Sequence, residues 1–177
     1  MWATPEDIVG EDRTIDKYEL VRGFLNAEHE TSLRNRDELA SWLGRFVRDK
    51  KNRIGVYCIY DRKKNEVLYV GESVRLEKRI REQLIGREER ESGLLRFTRL
   101  IYGVLRREKD MKEKGYRKSS LEGKKELNDF YLNTIFKPNN ILRVCFTMDE
   151  MRALVLENTL IKHFKEKGQC RYNKPFR

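Results

Sequence analysis

The chain has 177 residues, with 39 Lys and Arg against 29 Asp and Glu, a formal charge of +10 with both histidines neutral. That length accommodates one domain, or one domain with an appendage, and 38 % hydrophobic residues suffice for a single core. No apolar run approaches the roughly 18 residues of a membrane span, and the start, MWATPEDIVGED, lacks the basic-then-apolar order of a secretory signal, so the expectation is a soluble, cytoplasmic protein without a membrane partner.

In chain order, Thr4-Pro5-Glu6-Asp7 and Asn35-Arg36-Asp37-Glu38 have the form of helix starts, a capping side chain followed three residues later by an acid. Leu39, Trp42, Leu43, Phe46 and Val47 continue the second at amphipathic spacing, and another helix is expected over Ile15 to Asn26. Residues 1–52 therefore read as an N-terminal helical extension.

The period then changes to that of strands. Ile54 to Tyr60 and Glu66 to Gly71 are β-branched and aromatic, and Asp61 to Asn65 between them reads as a hairpin loop. Centring the hairpin on Lys63 sets Tyr57 directly opposite Tyr69 on one face, with Cys58 on the other. Ser73 is expected to open a helix whose buried row is Leu76, Ile80 and Leu84, with Arg75, Arg79 and Gln83 one turn apart on another row.

Leu94, Leu95, Thr98, Ile101, Tyr102 and Leu105 mark the buried side of a longer helix, and Arg96, Arg99 and Arg106 form a basic stripe on another side. Lys109 to Lys118 reads as a loop. Ser119 and Glu122 box a further helix with Leu127, Phe130, Tyr131, Thr134 and Ile135 on one face, stopped by Pro138. Ile141 to Thr147 is a third strand, and Thr147 and Glu150 box a last helix running to about Lys167. The order implies an α+β fold: a small antiparallel three-stranded sheet flanked by helices, with a domain over residues 53–174 and a helical insertion at about 86–140.

The charge is unevenly spread. Met1 to Lys50 holds 8 basic and 11 acidic residues, whereas Arg75 to Lys118 holds 15 basic and 8 acidic, as expected if one surface meets a polyanion. Three cysteines, Cys58, Cys145 and Cys170, form no CxxC pair, and His29 and His163 stand far apart, so a disulfide framework, a zinc cluster and a Ser-His-Asp triad are not supported. Any metal must be held mainly by carboxylates. Leu154, Val155, Leu160, Ile161 and Phe164 form the apolar stripe of the last helix, and Glu157 lies within it, where a carboxylate is costly unless a cation or hydrogen bonds meet it. His163 is placed on the solvent side.

Gly55-Val56-Tyr57, Tyr69-Val70-Gly71, Arg79 on the following helix, Glu157, and Tyr172-Asn173 occur in an order that resembles the GIY-YIG endonuclease family, whose name is the pair of strand tripeptides. The resemblance covers roughly Arg53 to Ile85 and Ile141 to Asn173. It implies a metal-dependent endonuclease cutting double-stranded DNA, with Tyr57 contacting the attacking water as general base, Tyr69 positioning water or phosphate, and Arg79 stabilising charge on the phosphate. It further implies that Glu157 binds one Mg²⁺ or Mn²⁺ and that Asn173 hydrogen-bonds within the site. A phenol needs cationic neighbours to act as a base at neutral pH, and Lys78 and Arg79 are the candidates. Where family members often carry a histidine or tyrosine this chain has Gln83, which can orient a water but not carry a proton. Glu72 either helps bind metal or simply begins the helix.

Lys78, Arg96, Arg99, Arg106, Arg107, Lys112, Lys114, Arg117 and Lys118 are the expected phosphate contacts. Lack of a zinc finger or second DNA-binding domain favours restriction-type cleavage of a short site by a self-contained enzyme, acting alone or as a homodimer. A structure-specific repair or recombination nuclease is the next reading, and an inactive nucleic-acid-binding module is the alternative from another class.

Overall fold

The computed structural model describes residues 3–10, 15–46, 54–85, 133–170, 172 and 173. Strands β1 (His29–Ser32), β2 (Gly55–Asp61), β3 (Glu66–Ser73) and β4 (Asn140–Phe146) form one antiparallel sheet in the order β1-β4-β2-β3. The helices are α1 (Pro5–Val9), α2 (Ile15–Leu25), α3 (Arg36–Phe46), α4 (Leu76–Ile80), which runs into a π-helical turn over Arg81–Ile85, and α5 (Glu150–Glu166). The α+β class holds, but the sheet has four strands rather than three. β1 is His-Glu-Thr-Ser, without the apolar alternation that marks a strand. A charged network fastens it instead: the Glu30 carboxylate accepts from Arg143 Nε at 2.6 Å and from the Tyr60 hydroxyl at 3.2 Å, and Arg143 Nη1 donates to the Leu25 carbonyl at 3.0 Å.

Two helical layers cover the sheet. On one side α1, α2 and α5 pack Ile8, Val21, Phe24, Leu156, Leu160 and Phe164 against Val56, Cys58, Val67 and Val70; on the other, α3 and α4 pack Leu39, Leu43, Leu76 and Ile80 against Tyr57, Ile59, Leu68 and Leu142. The central strand β2 is buried on both faces over Gly55–Tyr60, which explains its nearly unbroken apolar sequence.

The helix starts at Thr4 and Asn35 form as the sequence predicts. Thr4 and Asp7 cap each other reciprocally with Pro5 in the first turn, and Asn35 Oδ1 accepts from the Glu38 amide at 2.8 Å. Two other starts differ. Ser73 ends β3, its Oγ accepting from the Arg75 amide at 3.0 Å, and α4 begins only at Leu76. Asp149, not Thr147, caps α5, because its carboxylate reaches the Arg152 amide at 2.8 Å while Thr147 Oγ1 donates to the Asp149 carbonyl. On α5 the buried row is Ala153, Leu156, Leu160, Ile161, His163 and Phe164. Leu154 is exposed, and His163, expected outside, is buried under α1. Of the helix predicted after Ser119, residues 133–135 are helical and 136–139 are not; residues 86–132, with the arginine stripe, lie outside the described residues.

The hairpin register also differs. Tyr57 pairs with Gly71 and Tyr69 with Ile59, two residues from the expected register: the turn is centred between Lys63 and Lys64, with Asp61 opposite Glu66 and Tyr60 opposite Val67, and Leu68 is then an extra residue in β3, since Ile59 pairs with Tyr69. This bulge turns Leu68 and Tyr69 to the same side of the sheet, between Val67 and Val70 on the other.

Candidate active site

The site forms at the open end of the hairpin, where Tyr57 and Tyr69 lie as diagonal neighbours with ring centroids 5.8 Å apart. Tyr57 is wholly buried and donates its hydroxyl hydrogen to Gln83 Oε1 from the π-helical turn. A π-helical turn adds a residue to the helical circuit and is frequent at functional sites; here it carries Gln83, with its amide buried, beneath the tyrosine. The two tripeptide glycines serve different needs. A Cβ on Gly55 would come within 2.2 Å of the Cys145 carbonyl oxygen on β4, whereas a Cβ on Gly71 would come within 2.8 Å of both tyrosine rings.

Burial pushes the Tyr57 phenol well above its usual range, and the nearby Tyr69 adds to this; Arg79 acts the other way without prevailing. The expectation that cations lower this group is therefore corrected: Tyr57 is a neutral phenol at physiological pH. Lys78 is exposed and pairs with Glu82 at 3.7 Å. Burial likewise raises Tyr69, partly offset by its hydrogen bonding with Tyr57.

Glu157 reaches the site from α5, half-buried, and its Oε1 accepts from the Glu72 amide at 3.1 Å. Burial first, then the Glu72 carboxylate, raise Glu157 to about 7, against the Glu72 amide and Arg79. Glu72 is itself raised by burial and by Glu150. Arg79 is exposed on α4, and its charge acts on Tyr57, Tyr69, Glu72 and Glu157 alike. Five side chains from β2, β3, α4, the π turn and α5 thus meet at one sheet end.

Among the described residues no group of three or more His, Cys, Asp or Glu side chains is placed to hold a metal ion. The donor set is the half-buried pair Glu157 and Glu72, whose like charges oppose ionisation. A hard divalent ion that keeps most of its ligands as water suits so small a set and would relieve that repulsion.

Asn173 lies outside this cluster and braces it. Its Oδ1 accepts from the Val70 amide at 2.9 Å and its Nδ2 donates to the Val70 carbonyl at 2.7 Å, between Tyr69 and Gly71. Sequence reading missed the rest of this device. Gln169 Oε1 accepts from the Val67 amide at 2.8 Å, and the amides of Cys170 and Tyr172 donate to the carbonyls of Val67 and Leu68. With Glu157 on the Glu72 amide, side chains and a short terminal segment pair the outer edge of β3 in place of a fifth strand. Only Gly168, at φ 71°, hints in the sequence that the chain turns back there.

Of the residues named from the sequence, the structure brings together Tyr57, Tyr69, Arg79, Gln83 and Glu157, with Glu72 beside Glu157 in β3 rather than at the start of a helix, and sets Asn173 beside them. Lys78 is on the outer side of α4, and Arg96, Arg99, Arg106, Arg107, Lys112, Lys114, Arg117 and Lys118 lie outside the described residues. No protein family, curated protein or solved structure compared with the chain matches it.

Proposed function

We propose that the chain is a metal-dependent endonuclease that hydrolyses phosphodiester bonds of double-stranded DNA, acting at a short sequence site. The observation that carries this reading is the meeting of Tyr57, Tyr69, Arg79, Gln83 and Glu157 at one sheet end, although the chain separates the last from the others by more than 70 residues. The order of these residues resembles the GIY-YIG nucleases, and the chain's charge of +10 suits a polyanionic substrate.

Glu157, with Glu72 beside it, would hold Mg²⁺ or Mn²⁺, which when bound polarises the phosphate and offsets its developing charge. Tyr57 gives its proton to the hydrogen bond with Gln83 and shares a second with Tyr69, so its oxygen keeps one place at most to accept from the attacking water. In that arrangement Tyr57 orients the water rather than deprotonating it. Tyr69 stands beside it, and the exposed guanidinium of Arg79 stabilises charge on the phosphoryl oxygens.

The test is cleavage of supercoiled plasmid and of branched duplexes by the wild type and by Glu157→Gln, with Mg²⁺ or with chelator. Glutamine retains an acceptor for the Glu72 amide but removes the charge, so metal-dependent cleavage by the wild type and none by the variant is expected. Discrete plasmid fragments support sequence-specific cutting, and cleavage of branched DNA alone would make the enzyme structure-specific. If the wild type cuts none of these substrates, the reading fails.

A further inference from the structure

The other end of the sheet, away from the tyrosines, carries a second feature. Three connections meet there: Arg34 just after β1, Arg62-Lys63-Lys64 at the hairpin tip, and Lys137 before β4. Backbone bonds tie them into one surface. The Leu33 amide donates to the Asn140 carbonyl at 2.8 Å, the Arg62 amide to the Asn139 carbonyl at 2.9 Å, and the Asn140 amide to the Lys137 carbonyl at 3.0 Å. All five cations are exposed.

Four nearby carboxylates are engaged elsewhere. Asp61 is turned onto the backbone, accepting from the amides of Lys63 at 2.9 Å and Lys64 at 3.1 Å. Glu30 is held by Arg143, with Arg62 reaching it at only 3.6 Å, and Asp37 and Glu38 sit in the first turn of α3. Among the described residues Arg34, Lys63, Lys64 and Lys137 make no ion pair, whereas Arg22, Lys78, Arg81 and Arg152 each pair with a carboxylate three or four residues away. A tip held by Asp61 presents unpaired lysines at fixed positions, which suits recognition of a regularly spaced polyanion.

We propose that this end of the sheet is a phosphate anchor for duplex DNA, separate from the cleavage site; the inference rests on reading the chain as a DNA endonuclease. From Val56, beside Glu72, to Asp61 is about 17 Å of strand, so the anchor would grip the duplex about five base pairs from the bond that is cut. Its contacts would supply affinity and register without base specificity.

The experiment measures binding of a fluorescent 24-base-pair duplex in chelator across a range of salt concentrations, for the wild type and for K63A/K64A/K137A. Each lost phosphate contact lowers the slope of log affinity against log salt by about 0.9. The triple variant should therefore lose about 2–3 from the slope and bind at least tenfold more weakly. The Asp61 turn uses backbone amides and survives the changes, which circular dichroism checks. Should the triple variant unfold, K63Q/K64Q reads the same quantity, with a fall of about 2 expected. A slope equal to wild type overturns the anchor even when plasmid cleavage by the wild type upholds the nuclease reading. A reduced slope with no cleavage of any substrate leaves the anchor standing and removes the nuclease.

Discussion

The ring of Tyr57 rests against the Cα of Gly71 so closely that a single methyl group there would meet Cζ and the hydroxyl oxygen at 2.8 Å. Tyr57 is fully buried and hydrogen-bonded to Gln83, so it has nowhere to retreat. Gly71→Ala should therefore displace both tyrosine rings, costing about 1–3 kcal/mol by overpacking and abolishing cleavage. Urea unfolding and plasmid nicking check the two effects, and wild-type stability with wild-type nicking would contradict the packing argument.

Glu157 should make the fold less stable as pH rises. Its pKa is raised to about 7 from the ordinary 4.5, so between those values the native state holds more protons than the unfolded chain, and stability falls with rising pH. Glu157→Gln removes this penalty. At pH 8 it should be more stable than wild type by on the order of 1 kcal/mol, a figure discounted for partial exposure. Mg²⁺ should raise the melting temperature of the wild type and leave that of Glu157→Gln unchanged, as measured by calorimetry.

His163 contributes with the opposite sign. Burial holds its pKa below 6.5, with Lys167 adding to this and Asp7 and Glu166 opposing. The unfolded chain therefore binds the extra proton first, and stability is lost as pH falls through 6.5. Because the Glu157 effect runs the other way in that window, the measurement belongs in the Glu157→Gln background. There the melting temperature should drop between pH 7 and pH 5, and replacing His163 with Phe should flatten the drop.

Arg143 ties β1 to the rest of the sheet, pairing with Glu30 and donating to the Leu25 carbonyl. Arg143→Ala leaves the partly buried Glu30 carboxylate to Tyr60 and Arg62 alone and should destabilise the protein by about 1–3 kcal/mol. Hydrogen exchange of the β1 amides should accelerate more than that of the β2 amides. Equal acceleration in both strands would mean that β1 does not depend on this pair.

Asn173 and Gln169 both pair the β3 edge, but at different distances from the tyrosines. Asn173→Ala removes two hydrogen bonds at Val70, next to Tyr69 and Gly71, and should cost about 1–2 kcal/mol and most of the cleavage rate. Gln169→Ala acts at Val67, beyond the bulge, and should cost about 1 kcal/mol with cleavage largely retained. Equal loss of cleavage in the two variants would show a structural role only.

The residues that meet at the site were legible because each stands out locally: two glycine-and-tyrosine tripeptides, an arginine four residues before a glutamine, and a glutamate in an apolar stripe. Helix starts at Thr4 and Asn35 were readable for the same reason, since a cap depends on neighbours three residues away. What escaped depends on distant partners. β1 is a strand because Arg143, more than 100 residues later, receives Glu30. The position of Tyr57 opposite Gly71 follows from a turn centred between Lys63 and Lys64 together with a bulge at Leu68, neither of which a residue type announces. The pKa of Tyr57 follows from how completely both layers close over it, and composition carries no sign of that.

Gly55 has a consequence for the chain's architecture. Its bare Cα lets β2 approach the Cys145 carbonyl, and this close seam fixes β4 against the hairpin after an excursion from Ile85 to Asn133. Asn140 pins the returning end by donating to the carbonyls of Thr134 and Ile135. Departure and return are thus both clamped to the same body. The seam at Gly55 and the clamp at Asn140 are made wholly by residues outside that excursion, so neither depends on the sequence between Ile85 and Asn133.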